Sequence, residues 1–386
     1  MSLQHRPRSV LFEPDSSDHG YLGPALKECR TETLSRIVAV PPELLKRQAH
    51  PDFSPVSWHL GHIAYTESLW IAEHLAGQPG ASLQYRQLFA ADGLPKAERE
   101  NLPDLEEILS YLEEVRSQTL KILLTSNPST EISLWHWLIQ HESQHAETIS
   151  IVLALHQTRS VSSNQKKSLN NLEPVQLDLS LPETIHLPAG HFIQGCDDSV
   201  AIDNEKPAHA VWLDSYSIDR YPVTCQQYRH FIEAGGYQEP RWWTVEGWQW
   251  KCTEQIQAPL YWPVDANDNH TPVFGVSWYE ANAYAQFVGK RLPTESEWAQ
   301  AAHTGLIEMT GSVWEWTDTW FDAYPGFRPF PYAGYSQTYF DQAHRVLRGG
   351  SFATPKWALR KSFRNWYHPY RREMFAGLRC ASQRQQ

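Results

Sequence analysis

Long apolar runs are missing from this chain. No stretch approaches the roughly 20 consecutive apolar residues that a bilayer-spanning helix needs, so no part of it reads as a membrane span. The opening residues, MSLQHRPRSVLFEPDSSDHG, also lack the apolar centre of a secretory signal, and the expectation is a cytoplasmic protein. Cysteine is scarce. Cys29, Cys196, Cys225, Cys252 and Cys380 are an odd number without a CxxC pair, which argues for reduced thiols and against a disulfide framework. Positive charge is in deficit: 33 Lys and Arg face 44 Asp and Glu, a net charge of −11. Nucleic acid and anionic membranes are held mainly by Lys and Arg, so neither is expected as a partner. Internal repeats and low-complexity runs are absent as well.

What is present suggests two domains. At 386 residues the chain is long for one core, and its 41% hydrophobic and 20% charged residues are ordinary for a globular protein. Seventeen Trp and seventeen Tyr point to a loop-rich part anchored by large aromatic side chains. Residues 1–157 read as helical. LGPALKECRTETLSRIVAV, SPVSWHLGHIAYTESLWIAEHLA, LPDLEEILSYLEEVRSQTLKILLTS and STEISLWHWLIQHESQHAETISIVLALHQ carry apolar residues at three- and four-residue steps. Ser54-Pro55 reads as an N-cap followed by proline at N1, and Leu102-Pro103 opens an acid-rich first turn. Four such helices suggest a four-helix bundle, a common host for metal sites. The polar, aperiodic residues 158–178 read as a linker. Residues 179–386 read as an irregular α+β domain with long loops, in which only CQQYRHFIEAGG and WYEANAYAQFVGKR look helical.

HESQH, residues 141–145, fits the H-E-x-x-H pattern of zinc proteases. On a helix His141 and His145 lie one turn apart and can reach one ion. Leu134, Leu138, Thr148 and Val152 share that face, so it points into the bundle, where two histidines are equally consistent with hydrogen-bonded core residues. A protease needs a third ligand downstream. Thr148 and Ile151 stand where one continuation requires Gly and His, and the first later acid, Glu173, falls in the linker. The better third ligand is upstream: His62, next to Gly61 and near Ala64, small residues that let helices approach closely. His62, His141 and His145 then form a three-histidine site without a carboxylate. Its open positions suit Fe(II) with O2 and substrate as further ligands, while zinc with a bound water also fits. His59, at helical spacing from His62, is either a ligand neighbour or a structural histidine.

Larger blocks carry a resemblance. The first half resembles the DinB-type bundle. The second resembles the formylglycine-generating-enzyme fold, through GVSWYEANAYAQFVGKRLPTESEWAQAA, MTGSVWEWTDTWFDAYPGF, RVLRGGSFAT and FAGLRCA. In this order, and with HESQHAET and RNWYHPYRREMFAGLRCA, the chain resembles the EgtB family of ergothioneine-pathway sulfoxide synthases from about residue 20 onward. The resemblance implies a non-haem Fe(II) enzyme that uses O2 to join hercynine to a thiol and yields a sulfoxide. It implies iron ligands at His62, His141 and His145, and a contact of Gln144 with the substrate imidazole. Asn365 and Trp366 match residues around hercynine, whose quaternary ammonium an aromatic face attracts. Tyr332 and Tyr335 match a Tyr-x-x-Tyr whose first member donates a proton, a role suited to a phenol that is neutral at pH 7.

The chain departs from the actinobacterial pattern at Tyr367, where an acid helps fix the thiol partner. Arg371 is kept as a carboxylate clamp, and Lys96, with Arg99 nearby, falls at a second basic contact. Cysteine, γ-glutamylcysteine, another thiol or a selenium donor therefore stay open, the last because selenoneine synthases share this architecture. Ovothiol-type synthesis is a further relative of this chemistry. Formylglycine generation is not expected, since FRNWYHPYRR lacks cysteine and Cys380 reads as a core position. A DinB-type thiol transferase would explain the three histidines and leave the second domain unexplained. A carbohydrate- or protein-binding module would do the reverse.

Overall fold

The computed structural model describes residues 19–80, 82–160, 183–262 and 270–383. They fall in two compact units, one within Glu13–Asn164 and one within Gln165–Gln386. Among the described residues no helix is long and apolar enough to cross a membrane.

The first unit is helical: α1 (Leu22–Ser35), α2 (Pro42–Leu45), α3 (Val56–Glu67), α4 (Ser82–Phe89), α5 (Leu105–Thr125) and α6 (Ile132–Ser160). The four expected helices are α1, α3, α5 and α6. Beyond Glu67, α3 continues as a π-helical stretch, Ser68–Leu75, a widened form often found beside functional sites. Helix α3 is buried along its whole length, whereas α5 buries one stripe through Ile108, Leu112, Val115 and Ile122. Its start falls at Leu105, after Asp104, with Glu106 and Glu107 in the first turn near the positive end of the helix dipole. Ser54 does not cap α3. Pro55 takes the N-cap position, and the Ser54 hydroxyl accepts a hydrogen bond from Arg99 instead (2.8 Å). Helix α6 runs to Ser160, three residues into the stretch read as linker; the rest of that stretch lies outside the described residues.

Gly61 decides how closely α3 and α4 meet. A Cβ there would lie 2.2 Å from the Phe89 ring, so only glycine admits the phenyl group.

Among the described residues the second unit holds three small sheets and four α-helices. Strands β1 (Thr184–Leu187), β2 (Gly190–Gln194), β3 (His209–Leu213) and β4 (Tyr216–Asp219) precede α7 (Cys225–Glu233), α8 (Val245–Thr253), α9 (Trp278–Phe287) and α10 (Glu295–Thr304). Strands β5 (Trp314–Trp320), β6 (Arg345–Arg348), β7 (Asn365–Tyr367), β8 (Ala376–Gly377) and β9 (Ala381–Gln383) complete it. The sheets are ordered β1-β4-β9, β2-β3 and β7-β6-β5-β8. All pairings are antiparallel except β5 with β8. Helices α8 and α10 were not among the two expected. The signal for α10 is present as a capping box, Thr294 to Glu297, and α8 has Thr244 as its N-cap.

The aromatic residues are spent here as anticipated. Trp298, Trp314 and Trp316 are fully buried, and so are Arg348, Arg364 and Arg379. Those arginines are paired with buried acids: Arg379 with Glu315 (2.8 Å), and Arg348 and Arg364 with Glu295 (2.8 and 2.7 Å). All five cysteines are free thiols. Cys380 is completely buried, and burial pushes its thiol well above the ordinary range.

Candidate metal centre

Helix α3 supplies His59 and His62, and α6 supplies His141 and His145. One ring nitrogen from each of His62, His141 and His145 lies within 4.8 Å of the others, close enough for a single ion after small side-chain adjustments. The ring centroids stand 4.5 Å apart for His141 and His145, 4.8 Å for His62 and His145, and 5.2 Å for His62 and His141.

His62 is held from two sides. Its Nδ1 meets the Phe89 carbonyl at 2.7 Å, which leaves Nε2, 3.5 Å from the Thr66 hydroxyl, as the nitrogen to take a metal, the usual way a metal-binding imidazole is oriented. Its ring stacks on Trp58 (4.7 Å, 12°), and the Arg99 guanidinium lies 3.9 Å from the centroid of the same indole. The Phe89 carbonyl is in reach because Gly61 lets α4 pack onto α3. His59 stands beside the triad, with its Nδ1 2.9 Å from Nδ1 of His145.

Burial keeps these imidazoles neutral. It lowers His62 to about 4, against the opposing pull of the Phe89 hydrogen bond, and His59 to about 3. His141 and His145 are held well below the ordinary imidazole range by burial and by neighbouring histidines. Neutral imidazole is the ligand form. Three of them, with no carboxylate in the set, fit a divalent transition metal and leave coordination positions for substrates.

The glutamate of HESQH does not belong to this centre. Glu142 accepts from Arg30 Nε (2.7 Å) and Arg116 Nη2 (2.6 Å). Both arginines also bind Glu67, Arg116 through Nε at 2.7 Å and Arg30 at 3.1 Å. Arg30 further donates to the Leu112 carbonyl (3.0 Å) and Arg116 to that of Leu26. Burial alone would raise Glu142, but the two guanidinium groups outweigh it and hold the carboxyl down at about 2. A carboxylate so engaged is no base for a metal-bound water, and the protease reading loses its catalytic group. The sequence reading missed this network. Its signal was an arginine on the apolar stripe of α5, next to Leu112 and Val115.

The remaining anticipated residues fall in several places. Gln144 is part-buried on α6, one residue before His145. Arg99 is engaged by the protein, donating to Ser54, Leu94 and Ala91, and Lys96 donates to the Asp52 carbonyl from an exposed position. In the second unit Asn365, Trp366 and Tyr367 form β7, the outer strand of its sheet. Trp366 stacks on Phe321 (4.3 Å, 6°) and approaches Tyr339. Asn365 Oδ1 accepts from the Trp366 amide. Arg371 lies 4.0 Å from Glu373 and 5.0 Å from the Tyr370 ring. Tyr332 is 44% exposed while Tyr335 is buried, with their rings edge to face at 6.3 Å.

A helical unit with three neutral imidazoles around one point has the donor set of a metal centre, and the same chain carries an aromatic α+β unit. Residues 25–149 match the DinB superfamily, and residues 170–306 and 302–384 the sulfatase-modifying factor enzyme 1-like domain. Hercynine oxygenase from Mycolicibacterium smegmatis is 32% identical, covering 93% of this chain and 98% of that protein. Hercynine oxygenase from Mycobacterium tuberculosis is 33% identical over 92% of this chain and 97% of its own length. Inactive C-alpha-formylglycine-generating enzyme 2 of Bos taurus is 33% identical over 34% of this chain and 51% of its own. The chain belongs to the hercynine oxygenase family, the EgtB-type sulfoxide synthases, and is an oxygenase.

Proposed function

We propose that this enzyme forms a C–S bond between the imidazole of hercynine and a small thiol, with O2 as co-substrate and Fe(II) held by His62, His141 and His145. The observation that carries the reading is the carboxylate-free centre of three neutral histidines, in a chain related over nearly its whole length to hercynine oxygenases. Fe(II) bound there would supply the one-electron chemistry that O2 requires, together with open positions for substrates.

The protein's own groups do the rest. Phe89 and Trp58 fix the ring of His62. Gln144 contacts the substrate imidazole, and Asn365 and Trp366 bind hercynine, the indole face attracting its trimethylammonium group. Tyr332 is the proton donor, at its phenolic oxygen, and Tyr335 packs against it. Arg371 is the clamp for a substrate carboxylate and Lys96 a further basic contact; Arg99, already engaged, acts through the Trp58 face rather than on substrate.

Tyr367 favours keeping a second donor in view. Where an acid would pair with a thiol's ammonium there is a phenol, so a selenium donor such as a selenosugar is the alternative partner for the same carbon. The test is anaerobic reconstitution with Fe(II), followed by O2 with hercynine and, separately, cysteine, γ-glutamylcysteine and a selenosugar, with products read by mass spectrometry. A hercynine–sulfur sulfoxide supports the proposal and names the thiol. A selenium adduct alone moves the enzyme to selenoneine synthesis, and no adduct from iron-loaded protein refutes the hercynine assignment.

A further inference from the structure

Asp203 follows β2 in a short turn, Asp203–Glu205. It is 2% exposed. A carboxylate in that setting is costly unless something in the protein needs it, and among the described residues no basic side chain pairs with it. Burial pushes it up to about 6, against the hydrogen bonds it accepts.

Those hydrogen bonds converge on one segment. Ser336 Oγ donates to Oδ1 at 2.5 Å, and the Phe330 amide donates to Oδ2 at 3.3 Å. The Asn204 amide also donates to Oδ1 (2.8 Å), and the Asn204 side-chain amide donates to Ser336 Oγ (2.9 Å). Phe330 and Ser336 are the two ends of FPYAGYS, which carries Tyr332 and Tyr335. Within it the Tyr335 amide donates to the Tyr332 carbonyl (3.2 Å). The Tyr332 ring rests on Gly334, where a Cβ would come within 3.1 Å of it. The segment is thus a closed turn tied at both ends to a single buried carboxylate.

We propose that Asp203 is a positioning residue for the reaction, its two oxygens clamping both ends of the 330–336 turn and so fixing the placement of the Tyr332 hydroxyl. The inference rests on Tyr332 being the proton donor. Asparagine cannot replace the aspartate, because its amide nitrogen accepts nothing and one end of the turn would be released. The residue touches no reacting atom in this scheme; it acts through the tyrosine.

The experiment uses the full iron-loaded chain and the variants Asp203→Asn, Ser336→Ala and Tyr332→Phe. Amide hydrogen exchange over residues 330–337 is measured together with kcat, KM for hercynine and iron content. Asp203→Asn is expected to speed exchange in that turn and to lower kcat about 10–100-fold, the usual effect of a misplaced catalytic group, with KM and iron content held. Ser336→Ala, which leaves the carboxylate in place, is expected to do the same more weakly, and it carries the test should Asp203→Asn fail to fold. Unchanged exchange in both variants overturns the clamp. Faster exchange with unchanged kcat, in an enzyme that Tyr332→Phe disables, overturns the catalytic role. Full activity of Tyr332→Phe refutes the proton-donor assignment itself, and is distinguishable because the clamp is read separately, from the faster exchange in Asp203→Asn and Ser336→Ala.

Discussion

Glu142→Gln separates a structural glutamate from a catalytic one. In a zinc protease this substitution removes the base and leaves the fold intact. Here Glu142 accepts three hydrogen bonds, from Arg30 Nε (2.7 Å), Arg30 Nη2 (3.3 Å) and Arg116 Nη2 (2.6 Å). Its side chain and those of Arg30, Arg116 and Glu67 are all at most 7% exposed. Two positive and two negative charges balance, and the glutamine variant leaves one buried charge uncompensated. Breaking a buried pair in this way costs about 3–5 kcal/mol. For a unit of this size that corresponds to a melting point lowered by about 10–15 °C. The network joins α1, α3, α5 and α6, so the helices that carry His62 and His141 lose their common anchor. Metal affinity, measured with Co(II) below the transition temperature, is expected to weaken roughly tenfold, as for other losses of support around a ligand. Melting followed by circular dichroism at 222 nm provides the assay. A shift under about 3 °C would refute the reasoning, because no buried charge would then have been unbalanced.

Other outcomes follow from the same geometry. His62→Ala and His141→Ala should each abolish stable Fe(II) or Co(II) binding while helicity persists, since two imidazoles do not close the site; metal titration checks this. Gly61→Ala drives a methyl group into the Phe89 ring and should cost about 1–3 kcal/mol, with weaker metal binding because the Phe89 carbonyl that orients His62 is displaced. Tyr332→Phe should lower kcat for adduct formation and leave iron content unchanged, as read by product mass spectrometry. Asp203 has its folded-state value raised to about 6 from an ordinary 3.8, so its protonated form contributes stability below about pH 4 that is lost as pH rises through 6. Urea unfolding of wild type relative to Asp203→Asn should therefore show the aspartate losing up to about 3 kcal/mol between pH 4 and pH 7, and a pH-independent difference would contradict that.

Local pattern made a large part of this protein readable. Three- and four-residue apolar steps announced the four long helices, because an amphipathic helix has to bury one stripe. Helical spacing placed His141 and His145 on one face, and with Thr148 and Ile151 in the downstream ligand positions His62 is the third histidine in reach. The second unit yielded less. Its strands are two to seven residues long, and α8 and α10 sit among loops whose polar residues mask their periodicity.

What the sequence determined by itself was composition, element type along the long helices and which residues share a helix face, all properties of near neighbours along the chain. Tertiary structure alone decided the partners. Glu142 could have faced the histidines or turned away, and only the arrival of Arg30 from α1 and Arg116 from α5 fixed which. The orientation of His62 depended on a carbonyl 27 residues away, and Asp203 met Ser336 across a separation of 133. Hydrogen bonds and buried charges have ranges of a few ångströms, so spacing along the chain carries no record of which groups will meet until the fold brings them together.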